Sequence, residues 1–169
     1  MLTKSADTIL ESWEIDSSLF ENDSFIQTPL GDMIIESLYG TSEKSDYDNG
    51  TYKVIRIGNI SYCDFDLSDI KKVELSQSDY LKYKLYENDF LIVRSNGNPR
   101  LVGKCAVWDK DKDFVFASYI IRFRFDTSRV LPHYVMYFLM SRSGRALLKP
   151  KTGGGTNNIS ATNNCKIQK

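Results

Sequence analysis

The sequence contains few histidines and cysteines, and its carboxylates fall in acidic loops where a raised pKa is not expected. Its 169 residues include one histidine, His133, and three cysteines, Cys63, Cys105 and Cys165. A Ser–His–Asp or Cys–His arrangement would have to depend on His133 alone, which follows a proline at a predicted helix start and suits a surface or capping position. The cysteines lack the CxxC spacing of a zinc site, so we expect reduced thiols and no bound metal. Catalysis by this chain alone is therefore not expected, and no catalytic residue is predicted.

Long apolar runs and cofactor-binding motifs are also missing. No stretch approaches about 18 apolar residues, and the start MLTKSADTIL lacks the basic and apolar regions of a signal peptide, so we expect a cytoplasmic protein without membrane contact. The segment RSNGNPRLVGK, residues 94–104, has glycines and a lysine as a phosphate loop does. However, five residues separate Gly97 from Gly103, and Cys105 stands where a P-loop needs Ser or Thr. We therefore expect no nucleotide and no other cofactor.

The charges of the chain cancel overall but are unevenly distributed. The 22 basic and 22 acidic residues balance, yet residues 1–50 hold two basic and eleven acidic residues, whereas residues 94–151 hold twelve basic and four acidic ones. Such asymmetry is a hint of contact with a nucleic acid. The alternative is that the acidic segment folds back on the basic one and neutralises it.

Composition predicts one globular domain with two flanks. An apolar content of 41% and an aromatic content of 12% can bury one sizeable core, while two domains would be cramped in this length. Residues 1–29 are predicted to be an acidic N-terminal flank with a short helix capped by Ser5. Residues 30–160 are predicted to form the domain, and residues 161–169 a polar C-terminal end.

Hydrophobic periodicity predicts a mixture of strands and helices, an α+β fold. The pattern of residues 30–38 fits either a helix or a strand. Strands are predicted at 52–60, 71–75, 89–94, 101–108 and 113–125, of which the third and fourth form a hairpin, and helices at 76–85 and 131–149, the latter opened by Pro132. Ser76 or Ser78 is expected to cap the first helix. On the last strand, alternate residues from Val115 to Phe125 are predicted to face the core.

Two clusters of polar and basic residues follow from these elements. Arg142, Arg145 and Lys149 are spaced three and four residues apart on the second helix, so their side chains line one stripe. The hairpin tip, residues 94–100, carries two arginines together with turn-forming Gly, Asn and Pro. Each cluster has an ordinary interpretation, a solvated helix face or a solvated hairpin tip. The other interpretation is a surface that binds phosphates.

Six segments, taken in order, resemble a known family. They are GTSEK at 40–44, YKVIRIGNI at 52–60, YKLYENDFLIVRSNGNPRLVGKCAVW at 83–108, FASYIIRFRFD at 116–126, LPHYVMYFLMS at 131–141 and GGGTNNIS at 153–160. Together they resemble the target recognition domain in the DNA specificity (S, or HsdS-type) subunit of type I restriction-modification systems. The resemblance covers residues 30–160, and its specificity lies in the order of the pieces.

The resemblance implies a twisted, mostly antiparallel β-sheet with a few packed helices. Such a domain binds the major groove at one half of a split double-stranded DNA target and is a non-catalytic component of anti-phage defence. In that family the chemistry belongs to other subunits, so the implied partners are adenine methyltransferase (modification) subunits and the restriction subunit. After the segment that corresponds to the end of this sequence, the family continues into a spacer helix. We therefore expect a half-subunit, a truncation or a stand-alone form, which pairs with a second copy of itself or with a second recognition half.

The residues expected to contact DNA lie in three loops and on the helical stripe. Major-groove reading needs guanidinium and amide groups that pair with base edges, together with other donors that hold phosphates. Loops 40–50, 94–100 and 152–160 supply both kinds. The predicted set is Thr41, Ser42, Lys44, Arg94, Ser95, Asn96, Asn98, Arg100, Lys104, Arg142, Arg145, Lys149, Lys151, Gly154, Thr156, Asn157 and Asn158. The candidate base readers among them are Arg94, Asn96 and Arg100.

Two positions depart from the family pattern. Glu43 stands where the family often has a basic residue, and Asn88 replaces the glycine that is usual before Asp89.

Two other functions stay open. The first is a protein-interaction or scaffold module without DNA binding, in which the acidic first fifty residues bind a basic partner. The second is a single-stranded nucleic-acid binder that stacks bases on Tyr and Phe side chains.

Overall fold

The computed structural model describes residues 28–110, 112–148, 151–153 and 156–158. The helix predicted after Ser5 and the end at 161–169 lie outside the described residues, as do the predicted site residues Lys149 and Gly154. The strands are β1 (Ile34–Tyr39), β2 (Tyr52–Ile55), β3 (Lys71–Val73), β4 (Phe90–Val93), β5 (Ser95–Asn96), β6 (Cys105–Val107), β7 (Phe114–Phe116), β8 (Ile120–Phe125), β9 (Lys151–Gly153) and β10 (Thr156–Asn158). The helices are α1 (Gln77–Tyr83), α2 (Pro132–Met140) and α3 (Arg142–Leu147), with 3₁₀ turns at Leu30–Met33 and Ile57–Asn59.

Three sheets hold the described strands together. The main sheet has the order β1-β8-β4-β6, and every neighbouring pair in it is antiparallel. A second sheet has the order β3-β2-β7, in which β2 and β7 run parallel. A third, small sheet has the order β5-β10-β9. Helix α2 packs on β6, and α1 packs on β7. The predicted α+β fold with mostly antiparallel strands is confirmed.

The centre of the main sheet is buried on both faces. All of β4, with the sequence FLIV, and all of β6 are buried. A short continuous apolar run is typical of such a strand, because neither face meets water. Aromatic side chains extend this core, with Phe65 edge-on to Trp108 at a centroid distance of 5.0 Å and Phe114 packed on Trp108. The core therefore reaches from the main sheet to the second sheet, which contains β7.

Most predicted elements form, some with shorter bounds. The segment 30–38 contains a 3₁₀ turn followed by strand β1, whose side chains alternate between half-buried and exposed, so the strand alternative is correct. The predicted hairpin forms from β4 and β6, although residues 101–103 are a turn. Of the two candidate caps, Ser76 caps α1, because its Oγ accepts a hydrogen bond from the Asp79 amide at 3.1 Å. Pro132 opens α2, as predicted.

The single long strand predicted at 113–125 is wrong, because the chain divides there into β7 and β8. Residues 117–119 form a turn between them, in which the Ile120 amide donates to the Ala117 carbonyl at 3.0 Å. Strand β7 belongs to the second sheet, and β8 enters the main sheet. Apolar residues alternate on both sides of this turn, so periodicity alone does not reveal it. The face opposite the predicted core face is also buried, at Ile120 and Arg122.

The helix predicted at 131–149 is also divided, into α2 and α3. Ser141 separates the two helices with extended backbone angles, φ −69° and ψ 164°. Its Oγ accepts a hydrogen bond from the Gly144 amide at 3.2 Å, which caps the new helix. A Cβ atom at Gly144 would lie 2.0 Å from the Phe138 carbonyl oxygen, so the close return of α3 onto the end of α2 requires glycine.

A cluster of four charged side chains joins three segments of the main sheet. Glu36 on β1 forms ion pairs with Arg122 and Arg124 on β8, the second between Oε2 and the Arg124 Nη1 at 2.7 Å. Asp89, directly before β4, accepts a hydrogen bond from the Arg124 Nε at 2.7 Å. The Arg122 and Asp89 side chains are each only 1% exposed. The two acids and two arginines therefore neutralise each other, with Arg122 and Asp89 buried and Arg124 and Glu36 partly exposed.

Further hydrogen bonds satisfy the buried members of this cluster. The Arg122 Nη1 donates to the Lys84 carbonyl at 3.0 Å, and the Asp89 Oδ2 accepts from the Tyr86 amide at 2.9 Å. The guanidinium of Arg122 also lies 5.5 Å from the centre of the Phe116 ring. Burial lowers the pKa of Arg122, while the charge of Asp89 opposes that shift. Arg122 remains charged at neutral pH, because the ordinary pKa of an arginine lies far above neutrality.

Asn88 has a backbone conformation that glycine favours, at a position where the family resemblance leads us to expect glycine. Its φ is 68°, in the left-handed region, which asparagine adopts more readily than most residues. The Asn88 amide donates to the Trp108 carbonyl at 2.9 Å, and the Trp108 amide donates to the Asp89 carbonyl at 2.8 Å. These bonds close the end of the hairpin, so the departure from the family pattern leaves the turn intact.

The buried charge cluster predicts a large effect of removing one of its acids. We expect Asp89→Ala to lower the free energy of unfolding by about 3 to 5 kcal/mol, because Arg122 and Arg124 lose part of their counter-charge. The measurement is urea unfolding followed by circular dichroism. Asp113→Ala is the matched control, since Asp113 pairs with Lys84 at 2.7 Å on the surface and should matter far less. Equal losses in both variants would contradict a stabilising role for the cluster.

A candidate nucleic-acid interface at one end of the main sheet

Several chain segments meet at one end of the main sheet, which we call the loop end. Since neighbouring strands there are antiparallel, the last residues of β1 and β4 lie beside the first residues of β8 and β6. The loop end comprises residues 39–44, 94–104 and 117–119, together with β9, β10 and α3. Two of the three loops predicted to bind DNA begin at this end, those that follow β1 and β4.

Backbone hydrogen bonds fasten these two loops to the turn at 117–119. The Thr41 amide donates to the Phe116 carbonyl at 2.9 Å, and the Ser118 amide donates to the Thr41 carbonyl at 2.8 Å. The Arg94 amide donates to the Tyr119 carbonyl at 2.9 Å. The same turn that interrupts the predicted long strand therefore holds the start of both loops.

The third predicted loop joins the second through a small sheet. Strand β10 pairs with β5, with Asn157 opposite Asn96 and Asn158 opposite Ser95. Strand β9 then pairs with the other edge of β10. The glycine-rich segment after α3 is thus brought to the hairpin tip by main-chain pairing, and all three predicted loops share the loop end.

The predicted DNA contacts differ in how far they reach the surface. Ser42, Lys44, Asn98, Arg100 and Arg142 are exposed, whereas Arg94, Asn96, Lys104 and Arg145 are half-buried. Lys151, Thr156, Asn157 and Asn158 occupy positions on β9 and β10. Thr41 and Ser95 are buried, and the Thr41 Oγ1 accepts a hydrogen bond from the Glu43 amide at 3.1 Å. These two side chains lie beneath the surface, where they support the loop backbone.

Side-chain hydrogen bonds order the hairpin tip. The Asn96 Oδ1 accepts from the Asn98 amide at 2.8 Å, and the Asn98 Oδ1 accepts from the Arg100 amide at 3.0 Å. These are local turns in which an asparagine side chain replaces a backbone acceptor. From the other side, the Arg145 Nη2 donates to the Arg100 carbonyl at 3.1 Å. Arg145, predicted as part of the basic stripe and of the DNA-contacting set, therefore ties α3 to the tip.

Two tyrosine rings that sequence reasoning missed lie against predicted site residues. The guanidinium of Arg94 is 4.7 Å from the centre of the Tyr39 ring, and the Lys104 Nζ is 5.6 Å from that of Tyr62. Both distances are within the range of cation–π contacts. The available signal was modest: Tyr39 directly precedes the GTSEK segment at 40–44. Nothing in the sequence paired it with Arg94.

The loop end is the basic end of the main sheet. Its described side chains include the cations Lys44, Arg94, Arg100, Lys104, Arg142 and Arg145, against one carboxylate, Glu43. At the opposite end, each strand has an aspartate within two residues, namely Asp32, Asp126, Asp89 and Asp109. Hydrogen bonds from Ser128 lower the pKa of Asp126, so that carboxylate is ionised at neutral pH. This charge separation favours a polyanion at the loop end.

The described residues contain neither a metal-binding cluster nor a membrane-spanning helix, and their two thiols are protonated. Over residues 28–110 and 112–148 and the two short strands after them, no three His, Cys, Asp or Glu residues are grouped as a metal site requires. In the same part of the chain, no helix has the length and apolarity needed to cross a membrane. Burial raises the pKa of Cys105 to about 12 and also raises that of Cys63, so both thiols are protonated at neutral pH.

The cationic and amide-bearing loops of this α+β domain gather at one sheet end, an arrangement that suits an anionic partner. The family model of the type I restriction modification DNA specificity domain matches residues 28–167. The chain belongs to this family, which confirms the resemblance drawn from the sequence. The type I restriction enzyme StySPI specificity subunit of Salmonella potsdam is 24% identical over 138 residues, covering 80% of this chain and 30% of that protein. The chain thus spans less than a third of the curated relative it matches.

The loop that follows β1 depends on a glycine at its base. A Cβ atom at Gly40 would lie 2.2 Å from the Phe116 carbonyl oxygen and 2.5 Å from that of Ala117. We expect Gly40→Ala to reduce stability by about 1 to 3 kcal/mol, because the loop must move away from the turn at 117–119. Gly97→Ala is the control, since no atom lies within 4 Å of its added Cβ. Thermal unfolding compares the two, and an unchanged midpoint for Gly40→Ala would contradict the tight packing.

Proposed function

We propose that this chain reads one half of a split double-stranded DNA target as the specificity component of a type I, or related, restriction-modification system. In this proposal the chain selects the DNA sequence, and methylation and cleavage are carried out by other subunits. The observation that carries it is the gathering of three polar loops at the basic loop end, in a member of the DNA specificity domain family. A rigid sheet that presents several loops on one side suits recognition of a groove.

The chemistry of the loop end divides into two proposed roles. Arg94, Asn96 and Arg100 carry the guanidinium and amide groups that pair with guanine and adenine edges in the major groove. Lys44 and Arg142 are exposed cations of the loop end and suit the phosphates, which set position but not sequence. Further contacts with the phosphates and the DNA backbone come, in this proposal, from Lys104, Lys149, Lys151 and the glycine-rich segment 152–160.

The proposed partners follow from the family and from the length of the relative. We propose adenine methyltransferase (modification) subunits as the direct partners, with the restriction subunit as a further one. The chain matches 30% of the curated relative's length. A second recognition unit would then read the other half of the target. Two linked recognition events raise affinity without any new contact within each half.

The proposal is tested by selection of bound duplexes from a random pool. We expect enrichment of one short sequence, bound by the isolated chain at micromolar or weaker affinity and more tightly after a methyltransferase partner is added. Competition with single-stranded oligonucleotides of the same sequence is the control, and these should displace the duplex poorly. Equal competition would instead indicate a single-stranded nucleic-acid binder. No retention of any duplex would indicate a protein-interaction module, and nanomolar binding by a proven monomer would contradict the half-site proposal.

The two proposed roles predict different responses to alanine. Lys44→Ala and Arg142→Ala should weaken binding to all duplexes similarly and reduce the slope of log affinity against log salt by about 0.9 for each lost phosphate contact. Arg100→Ala should instead remove roughly 1 to 3 kcal/mol of discrimination at one base pair. The measurement is binding to the selected and a scrambled duplex at several salt concentrations. Lys112→Ala, an exposed lysine beyond the other end of β7, is the control and should change neither quantity.

If Arg100→Ala weakens binding to the selected and scrambled duplexes equally, the hairpin tip holds the DNA backbone and does not read bases. Base reading would then fall to residues 41–49 or 152–160. If Lys112→Ala has as large an effect as Lys44→Ala, DNA binding is spread over the protein surface and the loop end is not the interface. Circular dichroism of each variant establishes that the fold is retained before binding is compared.

A further inference from the structure

Arg94 is fixed at both sides by the backbone of the loop end. Before it, strand β4 ends at Val93, and the Arg94 amide donates to the Tyr119 carbonyl at 2.9 Å. After it, Ser95 and Asn96 pair with β10. The Cα position of Arg94 is therefore held by three segments of the chain. Because the backbone of Arg94 is fixed, restraining its side-chain torsions is enough to give the guanidinium a defined direction.

The side chain of Arg94 is held differently from the side chains of five other described arginines. Arg56, Arg122, Arg124, Arg129 and Arg145 each donate a hydrogen bond to a carboxylate or a carbonyl. Among the described residues, the contact of the Arg94 side chain is with the face of the Tyr39 ring, 4.7 Å away. Its Nε is buried and has no hydrogen-bond partner in this part of the chain. The ring is thus the restraint on this guanidinium.

Stacking restrains a guanidinium without consuming its donors. A cation–π contact forms no hydrogen bond, so it occupies none of the N–H donors of the group. Bidentate pairing with the O6 and N7 atoms of guanine requires two of these donors. An arginine held by a carboxylate has one or two of its donors occupied, whereas one held by a ring keeps them for a ligand. Tyr39 is suited to this task because it ends β1 beside the loop end and is 38% exposed.

We propose that Tyr39 is a positioning residue that orients the Arg94 guanidinium to read a guanine in the DNA target. This inference rests on the proposed function and assigns the reading of a guanine to Arg94, one of the three candidate base readers. The ring lowers the conformational freedom that a long arginine side chain loses on binding. Tyr39 acts through Arg94, so its removal should alter sequence discrimination and leave the general attraction to phosphates in place.

The test compares Tyr39→Phe with Tyr39→Leu on the full chain. Discrimination between the selected duplex and the duplex with its guanine replaced should fall about two- to tenfold in Tyr39→Leu, the range of one cation–π contact. Tyr39→Phe keeps an aromatic face and should retain discrimination. Affinity for a scrambled duplex should stay the same in both variants. Combining Tyr39→Leu with Arg94→Ala should cost no more discrimination than Arg94→Ala alone, because both changes remove one interaction.

Tyr86→Leu is the matched control. Tyr86 stacks on Arg124 at 5.0 Å, at the opposite end of the same sheet, so its removal deletes an equivalent contact far from the loop end. It should leave discrimination unchanged. Arg94→Lys is a second, less disruptive variant, since it retains the charge but lacks the planar fork. It should lose discrimination and keep its affinity for the scrambled duplex.

The outcomes separate this inference from the proposed function. If the wild-type chain enriches no duplex, the proposed function fails and this inference fails with it. If the wild-type chain selects a sequence, but Tyr39→Leu or Arg94→Lys discriminates as well as the wild type, the inference alone is overturned. It is also overturned if Tyr39→Leu and Tyr86→Leu reduce discrimination equally, or if Tyr39→Leu weakens binding to selected and scrambled duplexes by the same factor.

Discussion

The buried charge cluster of Glu36, Asp89, Arg122 and Arg124 is the constraint on which the main sheet depends. Glu36 lies opposite Arg124 in the pairing of β1 with β8, and Asp89 directly precedes the pairing of β4 with the same strand. A slip of one residue would turn every side chain of a strand to the other face and leave buried charges without partners. Apolar contacts tolerate such slips better than charges do. The cluster therefore specifies one register for three strands, and that register sets which loops meet at the far end.

Charges that cancel over the whole chain leave a basic surface at one end of the main sheet. The acidic side chains that accompany the main sheet lie mostly at the end away from the loops, where Asp89 and Glu36 neutralise two arginines. The cations of the loop end have one described carboxylate among them, Glu43. Charge that balances over the whole chain is thus separated along the length of the strands. The basic end therefore attracts a polyanion more strongly than the opposite end does.

Short sequence patterns correctly predicted the structural features that depend on neighbouring residues. The apolar run of β4 and the Ser76 cap each depend on a few neighbouring residues. The breaks at 117–119 and at Ser141 were missed, because the alternation of apolar residues and the helical periodicity continue across them. What interrupts the long strand is its pairing with β2 on one side and with β1 on the other. What divides the helix is the return of α3 against the Phe138 carbonyl, which Gly144 permits.

By itself, the sequence determined the α+β class, the scarcity of catalytic groups and, through the order of its segments, the family. It also indicated which loops carry guanidinium and amide groups. Only the tertiary structure decided which of those groups are held, buried or paired: Thr41 and Ser95 lie beneath the surface, Arg145 supports the hairpin tip, and Arg94 lies on the Tyr39 ring. The reason is physical. Each of these outcomes is a contact between segments far apart in the chain, and strand pairing in the folded sheets, not the local sequence, brings those segments together.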